Sequence, residues 1–520
     1  MSKTVSIVES APSTAPSPSS SLAAPRSPLV AFGAIMLATL LAAMDQTIVA
    51  TALPRIVGDL HGFSHLSWVI TAYLITSTVT IPAYGKLSDL YGRRRMFVIS
   101  ISIFLAGSAL CGLAQSMGEL IAFRALQGVG AGGLLPLSQA AIADLFSPRE
   151  RGRYQGFVGA MWGTASIVGP LAGGSLTDSI SWRWIFLVNL PLGILALVVV
   201  MRTLRRGGRV RRHQIDFAGA ASLGAGITLI LLASSWGVTS APWGSAMVVG
   251  AAAAGVALVV AFVLIERRAP EPLLWLGLFS DRVVSLASIA GALIGAVMFG
   301  VTVYVPVYVQ GVQGGSAVSS GLALLPLSLC WSLASAVGGQ LVARTGRYRW
   351  LPMIGSALVL AGFLLLSRVS ASSSRTVLVL DLVVIGLGMG TMVQVYVVAA
   401  QNAVAPALIG VTTAALQFFR TIGGSLAVTG LGALLASRVA VELGHRLGAT
   451  AHQVDANRLL QGGAHVPPSL LHGTREALAS AMHSVFLVGI PIALAMLAVA
   501  LVLPERPLRR TLEAPADASD

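Results

Sequence analysis

Two charged residues lie inside long apolar stretches and are candidates for binding and releasing a proton. Asp45 lies in the apolar run 29–52, and Arg124 lies in the run 120–143. Burial favours the protonated form of an aspartate, and a nearby cation favours its ionised form, so a change in surroundings can move a proton. An arginine keeps its charge. The pattern predicts a functional carboxylate at position 45; a permanent salt bridge or a place in a watery vestibule is the structural alternative.

A short charged stretch, GKLSDLYGRRR at 85–95, interrupts the apolar sequence. Its arginines favour a position in water at a membrane surface, and its glycines permit a tight turn. Asp89 can pair with Arg93, with the surrounding basic cluster, or with the N-terminus of a neighbouring helix, whose dipole favours negative charge. We interpret the stretch as a turn between two helices.

The elements that must position these residues are membrane-spanning helices. The chain is 55% hydrophobic and 10% charged, and its mean hydropathy of +0.82 argues against a water-soluble fold. Only a helix satisfies its own backbone hydrogen bonds in lipid, and roughly 20 apolar residues cross a bilayer. We therefore predict an all-α polytopic membrane protein. Its fourteen predicted spans are 29–52, 67–84, 97–116, 120–143, 155–177, 183–203, 215–236, 245–265, 283–309, 317–342, 350–369, 376–400, 411–436 and 480–503.

The net charge of +14 sets topology and does not indicate a nucleic-acid partner. With the N-terminus placed in the cytoplasm, 24 of the 34 Lys and Arg residues fall on the inside and 8 on the outside. This bias follows the positive-inside rule and predicts that both termini are cytoplasmic. The preference for Arg over Lys suggests a bacterial source, hence the inner (cytoplasmic) membrane. Cys111 and Cys330 lie in apolar runs, which argues against a disulfide framework and against a metal site.

The charged stretch recurs in the second part of the chain. GQLVARTGRYR at 339–349 matches it at a constant offset of 254, and GLGMG at 386–390 matches GVGAG at 128–132 at an offset of 258. Duplicated halves of this kind are typical of transporters that handle substrate at the interface of the halves. The predicted organisation is a disordered N-terminus at 1–28, a six-helix half at 29–204, a linker at 205–282 with an inserted helix pair, a second six-helix half at 283–504 with an outer loop at 437–479, and a tail at 505–520.

Four motifs in consistent order resemble the major facilitator superfamily, in its fourteen-helix branch of drug:proton antiporters. The stretch at 85–95 resembles the signature of the loop between helices 2 and 3. MDQTIVATALP at 44–54, RALQGVGAGG at 124–133 and GTASIVGPLAGG at 163–174 resemble the signatures of the first, fourth and fifth helices. The resemblance covers 29–504. It implies a proton-driven exporter of drugs, antibiotics or similar amphipathic molecules, and no enzyme. An exporter of one endogenous metabolite or lipid, or a proton-coupled importer, is the alternative.

The resemblance assigns roles to individual residues. Proton coupling is assigned to Asp45 and Arg124, which would pair in one conformation; a structural role of Arg124, bonding to carbonyl groups, is the alternative. A conformational latch that holds the outward-facing state is assigned to Gly85, Asp89, Gly92, Arg93 and Asp144. Ala343 takes the place of Asp89 in the second half, so the latch is expected in the first half alone.

Helix 5 and the central cavity complete the expected machinery. The exporter motif of helix 5 comprises Gly163, Gly169, Pro170, Gly173 and Gly174. Its glycines are expected to allow close helix packing and Pro170 a kink. The cavity candidates are Tyr73, Trp162, Tyr304, Tyr308, Trp331, Gln394, Tyr396, Gln417, Phe418 and Arg420.

The expected partners are a small amphipathic substrate, often cationic or planar, protons and the lipid bilayer. The sequence has no Walker A motif, so we expect no nucleotide or other cofactor, with the proton gradient as energy source. We expect a monomer.

Overall fold

The structure is a computed structural model that describes residues 28–60, 66–204, 216–239, 244–269, 272–315, 317–447 and 470–508. The predicted disordered N-terminus lies almost wholly outside the described residues. Most of the tail and the middle of the predicted outer loop also lie outside them.

The described part of the chain consists of α-helices with two short 3₁₀ turns and contains no strand. Helices α6 and α7 follow each other closely and form one span, so the helices make fourteen segments. Ten segments are long and apolar enough to cross a membrane. The predicted all-α polytopic fold with fourteen helices is thereby confirmed. The helices are α1 Pro28–Leu60, α2 Leu66–Tyr91, α3 Arg93–Leu113, α4 Met117–Leu145, α5 Pro148–Ser179, α6 Trp184–Leu187, α7 Asn189–Thr203, α8 Phe217–Thr239, α9 Ala246–Glu266, α10 Arg282–Gly311, α11 Ala317–Thr345, α12 Trp350–Leu366, α13 Arg375–Ala403, α14 Ile409–Leu447 and α15 Leu471–Val502.

The end of α14 differs from the sequence prediction. The helix continues past 436 to Leu447, and α15 begins at Leu471 rather than at 480. The described parts of the predicted outer loop 437–479 are therefore almost entirely helical. This end of the helix is amphipathic: Val439 and Leu443, one turn apart, are buried, while Arg438, His445 and Arg446 are exposed. A search for continuous apolar runs passes over such a segment.

Consecutive segments, with α6 and α7 counted as one, run in opposite directions, so every second turn lies at one end of the bundle. We call this end the basic face and define it by the turns at Gly92, 146–147, 346–349 and 503–508. Gly92 and Gly346, which match in the internal repeat, have φ of 89° and 70°. This left-handed conformation strongly favours glycine. The repeated motif therefore builds the same tight turn twice.

The two sets of helices meet at the basic face through two equivalent contacts. In the first, α2 packs on α14: a Cβ added at Gly85 would lie 3.0 Å from the Gly410 carbonyl oxygen. In the second, α11 packs on α5: a Cβ at Gly339 would lie 2.0 Å from the Gly152 oxygen. Gly85 and Gly339 match in the repeat, so glycine allows close backbone approach at both positions.

The helices α8 and α9 pack against each other, with Gly226 and Gly255 in mutual contact. Helix α8 also contacts α2 and α14. Helix α9 leaves large apolar side chains such as Val256 and Val260 exposed on its other side. This pair therefore lies at the periphery of the bundle, where lipid can cover the exposed surface.

Candidate functional site

A buried ion pair joins α1 to α4 in the interior of the bundle. The Arg124 Nη1 atom lies 2.8 Å from Asp45 Oδ2, and Asp45 and Arg124 are 0% and 2% exposed. Two opposite charges out of water are stable only when close geometry and further hydrogen bonds offset their desolvation. The sequence-predicted residues for proton coupling are thus in direct contact.

Amide side chains supply the further hydrogen bonds. Gln127 Nε2 donates to Asp45 Oδ1 at 2.8 Å, and Arg124 Nη1 donates to Gln127 Oε1 at 2.8 Å. Asn189 Nδ2 donates to the same carboxylate oxygen at 3.3 Å. Ser108 accepts from both amides, at 3.1 and 3.0 Å. Both carboxylate oxygens of Asp45 thus have hydrogen-bond partners, which helps to offset the desolvation of the buried pair.

The Arg124 guanidinium also contacts a backbone carbonyl and two aromatic rings. Its Nε donates to the Val69 carbonyl oxygen at 3.3 Å. Its Cζ lies 4.1 Å from the centre of the Tyr73 ring and 5.8 Å from that of Phe186. Both arrangements predicted for Arg124, the carboxylate pair and the bond to a carbonyl, are therefore present together. Tyr73 lies beside this ion pair rather than in an open cavity.

Both members of the pair lie well inside their helices. Helix α1 continues to Leu60, so Asp45 is roughly 22 Å from that end at 1.5 Å per residue. Helix α4 begins at Met117, which places Arg124 about two turns inside it. A proton can reach this carboxylate only if water or a side chain connects it to the surface, so a conformational change can control its access.

The second group of site residues lies at the basic face. Arg93 Nη1 lies 2.6 Å from Asp89 Oδ1, and Arg93 Nε lies 2.9 Å from Asp144 Oδ2. Asp89 also accepts hydrogen bonds from the backbone N–H groups of Gly410 and Val411, at 3.1 and 2.8 Å. These groups are at the N-terminus of α14, where the helix dipole favours negative charge. The five residues predicted for the latch therefore lie together, and Asp89 connects α2 to α14.

The electrostatics of Asp89 depend on its neighbours. Burial raises the pKa of its carboxyl above the usual value, and Arg93 and the Val411 N–H oppose that rise. Loss of either partner would leave a poorly compensated buried charge.

A second polar contact, at Arg149, was not predicted from the sequence. Arg149 is in the first turn of α5, and its Nε and Nη2 atoms donate to the carbonyl oxygens of Ala343 and Arg344, both at 2.7 Å. These carbonyls belong to the last turn of α11 and lack helical partners. At the contact between α5 and α11, therefore, the basic side chain of Arg149 takes the part that Asp89 has at the contact between α2 and α14.

The glycines of the helix-5 motif differ in their surroundings. A Cβ at Gly163 would lie 1.9 Å from Ser332 Oγ on α11, and one at Gly169 would lie 2.1 Å from Thr47 Oγ1 on α1. Gly173 is buried, and Pro170 lies within α5. A Cβ at Gly174 would meet no atom within 4 Å. The expectation of close packing is thus wrong for Gly174, which faces open space.

Three cavity candidates surround one small cavity between the two sets of helices. Tyr396, Gln417 and Arg420 line it together with Gln139 of α4. Its volume of about 20 Å³ has room for roughly one water molecule. In this conformation the cavity cannot hold a drug-sized molecule.

The other candidates lie elsewhere. The hydroxyls of Tyr304 and Tyr308 donate to the backbone carbonyls of Val428 and Ser370, so both are occupied in packing. Trp162 packs within the first half. Gln394 is buried, and its Oε1 has no hydrogen-bond partner in the described part of the chain. Trp331 and Phe418 pack among the second-half helices.

Sequence reasoning missed three residues of the buried network: Ser108, Gln127 and Asn189. Gln127 follows Arg124 by three positions, so the two share a helix face. Asn189 is a lone amide in the apolar run 183–203. Gln127 and Asn189 could therefore have been detected from the sequence. Ser108 could not, because a serine in a membrane helix can hydrogen-bond to its own backbone and so does not indicate a polar site.

The fold and the sites together define a membrane transporter rather than an enzyme. A sequence model of the Major Facilitator Superfamily matches residues 35–221 and 217–428. The chain belongs to this family.

Relatives and solved structures agree with this assignment. The chain is 39% identical over 404 residues to the "Multidrug transporter protein MdtP" of Bacillus subtilis, covering 78% of this chain and 74% of the relative. It is 35% identical to "Multidrug resistance protein 3" of the same organism, covering 89% and 92%. The proton:xylose symporter XylE has a similar fold, with a TM-score of 0.58 at 14% identity over 92% of this chain and 96% of that one.

Proposed function

We propose that this protein is a proton-coupled exporter of amphipathic small molecules, a member of the fourteen-helix drug:proton antiporters. The observation that carries the proposal is the Asp45–Arg124 pair, a proton-binding group and a fixed cation 2.8 Å apart in the bundle interior. An intramembrane ionisable pair of this kind is by default a functional site.

Coupling follows if proton and cargo favour different states. Protonation of Asp45 removes the charge that holds Arg124, so the pair weakens and α1 can move relative to α4. A ligand can shift such an equilibrium only by its difference in affinity for the two states. Protons entering from outside would favour the return of the empty protein, and cargo would be carried outward in exchange.

The state described here is closed at the basic face. We assign this face to the cytoplasm, because the positive-inside rule places its arginines there. In this orientation both termini are cytoplasmic, in the inner membrane of a bacterium. The contacts of Asp89 with α14 and of Arg149 with α11 then form the cytoplasmic seal, which must open for cargo to enter.

The nature of the cargo is suggested by relatives. Two of them bear the names multidrug transporter and multidrug resistance protein, and the chain covers most of their length. No cofactor is needed for exchange driven by a proton gradient. One chain holds both halves, so a single copy can complete the cycle.

Everted membrane vesicles from a bacterial host that expresses the full chain test the proposal. A pH gradient, acid inside, should drive uptake of at least one compound from a panel of positively charged, negatively charged and neutral dyes and antibiotics. Collapse of the gradient by a proton ionophore should abolish that uptake. Uptake that survives the ionophore, or that occurs equally in vesicles without the protein, would overturn the proposal.

A further inference from the structure

Arg420 lies at the small cavity between the halves and carries a charge that nothing in the described structure neutralises. It is on α14, roughly 16 Å from the start of that helix at Ile409. Its guanidinium hydrogen-bonds to Gln417 Oε1. Among the described residues no carboxylate lies within ion-pair distance of it.

This position differs from that of the other intramembrane arginine. Arg124 has the Asp45 carboxylate at 2.8 Å, so the buried charge is compensated within the protein. The residues that line the cavity beside Arg420 are uncharged. Arg420 is half-buried, but a cation without a counter-charge inside a membrane bundle is costly, and such residues usually face a pathway or a ligand.

The backbone that carries Arg420 is fixed against α10. A Cβ at Gly295 would lie 1.9 Å from the Arg420 carbonyl oxygen, and one at Gly423 would lie 2.2 Å from that of Ala292. Glycines on both helices thus allow their backbones to approach closely around this position. The guanidinium is presented to the cavity by a rigid support.

The other polar groups at the cavity have complementary chemistry. Gln139 comes from α4 of the first half, and Tyr396 and Gln417 come from the second half. Amide and hydroxyl groups can donate to oxygen, and Gln417 already orients the guanidinium. The planar fork of an arginine binds a carboxylate through two parallel hydrogen bonds.

We propose that the Arg420 guanidinium is the recognition site for a carboxylate group on the transported molecule, so that the preferred cargo is an amphipathic organic acid. This inference rests on the proposed export function, and it replaces the expectation that the cargo is often cationic. Opening of the seal at the basic face widens the cavity, and the apolar walls then contact the rest of the molecule.

Binding to the purified full-length protein in detergent tests the site independently of transport. The probes are naphthalene carboxylate and the matching naphthalene carboxamide, which differ in the charge of one group. Affinity is measured from the ligand-induced rise in the protein's melting temperature. The carboxylate should bind about tenfold more tightly than the amide, the equivalent of one charge-assisted hydrogen bond.

Variants locate the effect. Arg420→Gln should abolish the preference for the carboxylate and leave amide binding unchanged; Arg420→Lys should keep part of the preference, because it keeps the charge but loses the fork. The control is Arg347→Gln, which changes an exposed arginine at the basic face. This variant should bind both probes with the affinities of the unaltered protein. If Arg420→Gln does not fold, the difference in affinity between the two probes on the unaltered protein still tests whether the site prefers a carboxylate.

Each outcome bears on one proposal. Equal or absent binding of the two probes to the unaltered protein overturns the carboxylate site, as does a preference that persists in Arg420→Gln. Carboxylate-selective binding in a protein that shows no gradient-driven transport supports the site and contradicts the export function.

Discussion

Asp45 and Arg124 form a salt bridge of 2.8 Å in which Asp45 has no exposed surface and Arg124 almost none. The bridge does not stand alone, because Gln127 bonds to both of its members. One amide therefore couples the charge state of the carboxylate to the position of the arginine. The first prediction concerns this amide.

Gln127→Leu should slow transport. The variant loses the amide that donates to Asp45 and accepts from Arg124, so the buried ion pair is less well compensated. The rate of gradient-driven uptake, measured in everted vesicles, should fall by about tenfold, the effect of roughly 1.4 kcal/mol. Gln115→Leu, a change of an exposed amide between α3 and α4, is the control. An unchanged rate in Gln127→Leu would show that the amide has only a packing role.

Asp89→Asn should impair transport, whereas Ala343→Ser should not. Asp89 contributes a charge that bonds to two N–H groups of α14 and to Arg93; the equivalent Ala343 contributes only its backbone carbonyl. We expect the transport rate of Asp89→Asn to fall by about tenfold or more, which corresponds to the loss of ~1.4 kcal/mol of stabilisation of the closed basic face. Equal transport by the two variants would contradict a latch restricted to the first half.

Arg149→Gln should weaken closure of the basic face. The variant loses the charged fork that bonds to the last carbonyls of α11. Cys111 and Cys330 are first replaced by alanine, and a single cysteine is introduced at Ser335, which is buried where α5 meets α11. This cysteine should react faster with a membrane-permeant thiol reagent in the Arg149→Gln variant than in the protein with Arg149 intact. Arg347→Gln controls for loss of an exposed positive charge. Equal reaction rates would place Arg149 outside the seal.

The fourteen helical segments were predictable because lipid imposes a strong rule, met by ten of them in the described part of the chain: a spanning segment must be a helix of sufficient apolar length. The tight turns at Gly92 and Gly346 were also predictable, since the repeat preserves the one residue type that accepts positive φ readily. The extension of α14 to Leu447 was not, because its amphipathic end lacks a continuous apolar run.

The candidate sites divide in the same way. Charged residues in apolar surroundings stand out, so Asp45, Arg124 and Asp89 were identified. The partners of Arg149 are backbone carbonyls, which every residue has, so no sequence pattern marks them. The directions of Tyr304 and Tyr308, whose hydroxyls bond to the backbone, depend on helix rotation, which the apolar sequence around them does not specify.

The central claim is that Asp45 carries the coupled proton, and Asp45→Asn tests it most directly. The asparagine keeps the size of the side chain but cannot exchange a proton in this range of pH. Proton release from everted vesicles on addition of an exported compound should be lost in Asp45→Asn and retained in Asp59→Asn, which removes an exposed charge at the C-terminal end of α1. Compound-induced proton release by Asp45→Asn at the rate of the unaltered protein would contradict the account.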